Sequence, residues 1–224
     1  MNVLRQLVDL HLIWQYRNEM LRGFLLTLEL AGATFAAAFA VALPLAIARA
    51  RGPRIVTVPL GILITLLRLV PAVVALVFVF FALPFLGVTF SPFISAVVTL
   101  AAIQSVYFAE IFRSGLVAVG KGQFEAGYAA GLGPLRLYRH VVLPQAFRVA
   151  APAFASSCVQ LVHNTTVASV VGLQDLIGTS FNIQFNLGSS AAMLPAAVMY
   201  LILLLPMVKA VRKMEQHTTQ AGYA

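Results

Sequence analysis

The stretch "GFLLTLELAGATFAAAFAVALPLAIA", residues 23–48, contains a single ionisable side chain, Glu29. A helix of about 20 mostly apolar residues crosses the roughly 30 Å hydrocarbon core of a bilayer. No water-filled environment gives such a run a reason to exist, so it dictates a membrane-embedded helix. The rest of the chain repeats the pattern. Apolar residues make up 61% of the 224 positions and charged residues 10%, against about 25% charged in an ordinary soluble domain. Candidate spans lie at 23–48, 69–86, 92–112, 149–172 and 191–208. The apolar segment 55–67 has no turn signal before residue 69, so it reads as the lower part of a long second helix bent near Pro71. The prediction is an all-α integral membrane protein with five transmembrane helices.

Charge sets the orientation. Arg49, Arg51, Arg54, Arg113, Lys121, Arg136, Arg139, Arg148, Lys209, Arg212 and Lys213 fall on one side of these spans, while only Arg5, Arg17 and Arg22 fall on the other. The loops 87–91 and 173–190 contain no Lys or Arg. The positive-inside rule then predicts an external N-terminus and a cytoplasmic C-terminus. The net charge of +8 follows from these loops and not from one basic face, which argues against a nucleic-acid partner. Cys158 is the one cysteine, so no disulfide framework exists. The opening "MNVLRQLVDLHLIWQYRNEM" is interrupted by Arg5, Asp9, Arg17 and Glu19 and lacks the pattern of a signal peptide. It reads as an interfacial helix or a polar tail. No repeat or low-complexity linker divides the chain. It is one domain over 21–213, with an N-terminal segment 1–20, a tail 214–224 and a long cytoplasmic loop over about 113–148.

That loop, "KGQFEAGYAAGLGPLRLYRHVVLPQA" over 121–146, reads as helix, break, helix. Glu125 sits in an expected first turn, where a carboxylate suits the helix dipole. Gly131 and Gly133 can take positive φ and Pro134 cannot continue the ladder. "LRLYRHVVL" then starts a second short helix, and Pro144 leads into the fourth span. The pair would form a knob projecting from the membrane; a solvated connector is the plainer alternative. "GLVAVGKG", residues 115–122, approaches the phosphate-cradling pattern G-x-x-x-x-G-K-[ST]. It ends in Gly122 without the hydroxyl that binds magnesium, and it follows a spanning helix instead of a strand.

Glu125, Ala126, Gly127, then Gly131, then Val141, Val142, Leu143 and Pro144 resemble a known signature. It is E-A-A, three residues, Gly, nine residues, Ile, one residue, Leu-Pro, found in the transmembrane subunits of binding-protein-dependent ABC importers. Gly127 stands where the second alanine is usual and Val141 where isoleucine is usual. "LRLVPAVVALVFVFFALP", "YFAEIFRSGLVAVGKGQFEAG", "LPQAFRVAAPAF" and "HNTTVASVVGLQDL" resemble segments of the polar amino-acid permeases in particular. The likeness covers about residues 20–213. It departs at His163-Asn164, where Lys-Asp or Gln-Asp is frequent, and at Pro71-Ala72-Val73-Val74-Ala75, where Pro-Leu-Leu-x-Gln is frequent.

The resemblance implies the type I ABC importer permease fold and a bacterial inner-membrane location. It implies a second permease subunit, identical or related, cytoplasmic ABC ATPase subunits and an extracytoplasmic solute-binding protein. ATP and Mg would be bound by the ATPase, with no cofactor in this chain. Gly122, Glu125, Ala126, Gly131, Leu143 and Pro144 would then couple the pore to the ATPase. Glu125 would either cap its helix or meet a cation on that partner.

Ionisable groups in hydrocarbon are costly and usually face a cavity or a partner. Candidates for a solute path are Arg68, Pro71, Gln104, Tyr107, Glu110, His163, Asn164 and Thr165. Arg68 either holds a carboxylate, lines the inner gate or snorkels to the cytoplasmic interface. Glu110 either lines the path or pairs with Arg113 at i,i+3. His163, Asn164, Thr165 and Thr166 either meet solute or bond between helices, and Glu29 is an outer-interface candidate. Two other classes stand beside an importer. One is an intramembrane enzyme of serine-protease type, assembled from Ser156, Ser157 and His163; the other is a passive channel.

Overall fold

The computed structural model describes residues 14–188 and 190–221, with side chains omitted for Arg51 and 217–221. All regular structure among these residues is helical. The helices are α1 (Arg17–Arg51), α2 (Arg54–Leu69), α3 (Ala72–Val77), α4 (Pro92–Ala118), α5 (Lys121–Ala129), α6 (Pro134–Leu137), α7 (Leu143–Thr165), α8 (Leu176–Leu187) and α9 (Met193–Ala221). Most of the segment 1–20 lies outside the described residues, and α1 already begins at Arg17. The expected tail from residue 214 continues α9 as far as Ala221.

Arg17–Ala50, Pro92–Ala118 and Ser190–Gln216 are long and apolar enough to cross a membrane. The bend expected near Pro71 in the second span is present, but it is sharp enough to break the helix in two. Arg54–Leu69 and Ala72–Leu86 meet at 99°, with Val70 extended at ψ 123°. The cause is local. The ring of Pro71 disfavours the helical region for Val70, and Pro71 has no N–H for the ladder. Counted as one span, this broken pair makes a fourth. Helix α7 spans 23 residues but carries a polar stripe, described below.

Helices α1, α4 and α7 form the centre. Ala38, Ala42 and Ala46 recur every fourth residue on α1 and are buried. Such small side chains let backbones approach closely where lipid supplies no hydrophobic drive between helices. Phe35, Phe39, Phe108, Phe112 and Phe154 then fill the space between the three helices, with paired ring centroids 4.6–6.2 Å apart. In the apolar run around α3, Phe78, Phe81 and Phe85 are exposed, while Leu76 is buried in the core with Phe80 packed beside it. Gly115 permits close contact of α4 with α7, since a Cβ there would lie 2.9 Å from Ala150 Cβ. This first glycine of the phosphate-loop lookalike is thus used in helix packing.

Candidate functional site

The break between α2 and α3 opens a cavity of about 450 Å³ against α4 and α7. Arg68, in the last turn of α2, places its guanidinium carbon 5.0 Å from the ring centroid of Tyr107. The ring face attracts the cation, and a cation suits the C-terminal end of a helix. Pro71 lines the same wall. Gln104, one turn before Tyr107 on α4, is buried and donates to Ser157 Oγ at 2.7 Å and to the Ser157 carbonyl at 3.1 Å. That pair ties α4 to α7. Asn164 completes the lining and accepts from Gln160 Nε2 at 3.2 Å. Five of the eight predicted path residues therefore converge: Arg68, Pro71, Gln104, Tyr107 and Asn164.

The other three lie elsewhere. His163 is exposed and is absent from the cavity wall. One residue of helical advance turns a side chain by about 100°, which separates it from Asn164. Thr165 is fully buried and donates to the Val162 carbonyl at 2.7 Å, inside the bundle. Glu110 is held by Arg113, whose Nε reaches both carboxylate oxygens at 3.1 Å. Ser157 and Gln160, which were not among the predicted path residues, also line the cavity. Ser157, Gln160 and Asn164 follow one another at i, i+3 and i+7, a polar stripe whose period was there to be read.

The serine-protease alternative lacks its geometry. Ser156 and His163 are seven residues apart on one helix, an axial separation of about 10.5 Å. Ser157 is bonded to Gln104 instead. A larger cavity of about 700 Å³ lies between α1 and α8, where Glu19, Arg22 and Glu29 face Gln174, Asn182 and Asn186. Glu29 lines that cavity together with residues of both charges.

The loop of residues 121–146 holds one free-standing short helix, not two. α5 ends in a Schellman turn: the Leu132 N–H reaches the Gly127 carbonyl and the Gly131 N–H that of Tyr128, both at 3.0 Å. Gly131 takes φ 74°, as its type predicts. Gly133, at φ −67°, instead caps the N-terminus of α6. Helix α6 runs without a break through a wide π turn, Tyr138–Val142, into α7. Pro144 leads into α7 as expected, but the second short helix is continuous with that span and not separate from it. Pro144 removes one N–H and crowds the carbonyl four residues back, and the π turn just ahead of it widens the ladder where that carbonyl lies.

Gly122, Glu125 and Ala126 are exposed along α5, while Leu143 and Pro144 are exposed at the foot of α7. Glu125 is the fifth residue of α5, past the first turn, so it does not cap the helix. The underside is anchored. Gly127 is buried against Leu137, Phe124 meets Tyr138 edge-on at 5.8 Å, and Gln145 donates to Gln123 at 3.0 Å. The departure at position 127 from the usual alanine therefore has a structural reason: a Cβ there would collide with Leu137.

Residues 38–220 match the family described as binding-protein-dependent transport system inner membrane component. The probable glutamine ABC transporter permease GlnP of Bacillus subtilis is 31% identical over 204 residues, covering 88% of this chain and 92% of that protein. The glutamine transport system permease GlnP of Escherichia coli K12 is 30% identical over 211 residues, covering 93% and 96%. A chain in the crystal structure of an amino acid ABC transporter with histidines superposes with a TM-score of 0.86 at 25% identity, covering 94% of this chain and 99% of that one. A chain of the inward-facing MetNI methionine ABC transporter shares the fold, with a TM-score of 0.74 at 20% identity and 91% and 98% covered. With a bent second span, a polar cavity at the bend and an anchored short helix in its long loop, the chain belongs to the binding-protein-dependent inner-membrane transport components, among the polar amino-acid ABC permeases.

Proposed function

We propose that this permease moves a polar amino acid or a related small solute inward through the Arg68 cavity, driven by ATP hydrolysis on a separate subunit. One observation carries the reading: in an otherwise apolar bundle, Arg68, Tyr107, Gln104 and Asn164 converge on a single cavity at a helix break. Its volume of about 450 Å³ lies within the usual 300–1,000 Å³ range of small-molecule sites, where a few placed polar groups give specificity. The Arg68 guanidinium suits a carboxylate, and the Asn164 amide offers both a donor and an acceptor.

The chain crosses the bacterial inner membrane five times, with α7 as the fourth span and its polar stripe turned from lipid. Its N-terminus is outside and its C-terminus is cytoplasmic, the arrangement the distribution of Lys and Arg favours. Gly122, Glu125, Ala126 and Gly131, with Leu143 and Pro144 at the foot of α7, form the surface that meets the cytoplasmic ABC ATPase. That ATPase holds ATP and Mg, and this chain holds no cofactor. A second permease subunit, identical or related, completes the pore. An extracytoplasmic binding protein delivers the solute. ATP-driven closure shifts the pore only through contacts that differ between its two states; a rigid, anchored α5 supplies such contacts.

The test is uptake of labelled polar amino acids into proteoliposomes holding the permease, its ATPase and its binding protein. Uptake that needs all three components and ATP is expected. Solute flux in the absence of ATP would establish a channel, and solute chemically altered by the permease alone would establish an enzyme. Either result would overturn the reading.

A further inference from the structure

The ion network at the end of α4 reaches farther than a pair on one helix. Glu110 has two cationic partners of different kinds. Arg113, three residues on, grips it in a bidentate fashion through Nε and Nη2. Arg49 comes from α1, its Nη2 3.9 Å from Glu110 Oε2. Arg49 also crosses α2 at Gly61, where a Cβ would stand 2.7 Å from its Nη1. One guanidinium thus touches three helices at once. All the side chains are only partly exposed, with 22% for Arg49 and 25% for Glu110, so solvent screens the charges incompletely.

The location is as informative as the chemistry. Arg49 and Arg113 form one wall of a cavity of about 220 Å³ whose other wall is Phe124 of α5 and Tyr138 and Val142 of the π turn. The anchored loop therefore adjoins the network directly. At the opposite end, α2 carries Arg68 in its last turn. The network lies between the loop and the solute cavity.

The two grips on Glu110 respond differently to motion. Arg113 shares a helix with Glu110, so its grip survives any movement of α4 against its neighbours. Arg49 stands at the outer limit of an ion pair, and a small slide of α1 or α2 makes or breaks that contact. A transmission element needs two discrete arrangements, and a carboxylate with one fixed and one variable partner has them. We propose that Arg49, seated over Gly61 and facing Glu110, is a positioning residue that carries displacement of the α5 loop into α2 and so moves Arg68. This rests on the permease reading above and names the device that links its two halves.

Three variants test it in the reconstituted complex, with solute imported per ATP hydrolysed as the readout. Gly61→Ala keeps every charge and only displaces Arg49. Arg49→Gln removes the variable partner. The exchange Glu110→Arg with Arg113→Glu rebuilds the pair within α4 but sets a cation at 110 against Arg49. All three are expected to retain ATP hydrolysis within about twofold while solute moved per ATP falls about tenfold, a size usual for coupling between linked sites. Arg49→Lys, which keeps the cation, should recover part of the ratio. A wild-type ratio in Gly61→Ala and Arg49→Gln would overturn the proposal. So would full rescue by the exchange, since the pair within α4 would then suffice. Failure of the wild-type complex to bind its ATPase would sink the permease reading instead, a result distinct from an unchanged ratio.

Discussion

Two glycines, Gly122 within α5 and Gly131 in the turn that ends it, should answer the same substitution with opposite signs. Gly131 and Gly122 are both exposed, and a Cβ added at either meets nothing within 4 Å. Sterics with neighbours are therefore equal, and only the backbone differs. Gly131 sits at φ 74°, where a Cβ crowds the following carbonyl at a cost of roughly 1 kcal/mol or more. Gly122 is the second residue of α5 in ordinary helical conformation, where Ala is favoured over Gly by about 0.5–1 kcal/mol. Hydrogen exchange reads local opening, and the bonds to follow are Ala130 N–H to Ala126, Gly131 N–H to Tyr128 and Leu132 N–H to Gly127. In detergent or nanodiscs, Gly131→Ala should speed exchange at these amides about fivefold, and Gly122→Ala should slow it about twofold or more. A change in the same direction for both, or none for Gly131→Ala, would refute the Schellman account of how the loop is held.

Other outcomes follow from the same geometry. Gly127→Ala, a return to the alanine usual in the signature, should destabilise the loop by about 1–2 kcal/mol through overpacking on Leu137. Adding Leu137→Ala should make the penalty vanish in a double-mutant cycle of thermal unfolding. Arg68→Gln should cut uptake about tenfold or more while ATPase binding persists, since a charged hydrogen bond to a ligand is worth about 1.5–3 kcal/mol; unchanged uptake would remove Arg68 from the path. Asp175 lies between the fourth and fifth spans, where its Oδ1 caps α8 by accepting from the Gly178 N–H at 2.8 Å. Its Oδ2 is buried without a partner, and burial pushes its pKa up to about 6. A raised carboxyl pKa stabilises the fold below the ordinary aspartate value, and that benefit is lost as pH rises to about 6. The wild type should therefore lose thermal stability relative to Asp175→Asn as pH rises from about 4 to about 6, and parallel profiles would count against this burial.

The parts legible in the sequence are those whose cause is local. Apolar length alone marks the helices around 23–48, 92–112 and 191–208, and Gly131 announces its own turn. The bend at Val70-Pro71 was legible from the proline and the restriction it places on its predecessor, while the continuous apolar run masked how sharp it is. Pro144 leads into α7 as read, but nothing in its neighbours shows that a π turn will join α6 to α7 without a break. His163 and Asn164 are adjacent in sequence but point apart, and the stripe Ser157, Gln160, Asn164 gave the correct phase. Arg49 over Gly61 was beyond reach. Arg49 and Glu110, 61 positions apart in sequence, meet only because α1 and α4 pack side by side, and no periodicity reveals that.

The claim on which the account depends is that the exposed face of α5 meets an ATP-driven partner inside the cell. Cross-linking from Glu125→Cys, in a Cys158→Ala background that removes the native thiol, tests it in membranes containing the assembled transporter. The account predicts a cross-link to the ATPase subunit that changes in yield with ATP, and labelling only by reagents that reach the cytoplasm. Labelling of position 125 by an impermeant reagent from outside, or no cross-link to the ATPase in any nucleotide state, would contradict it.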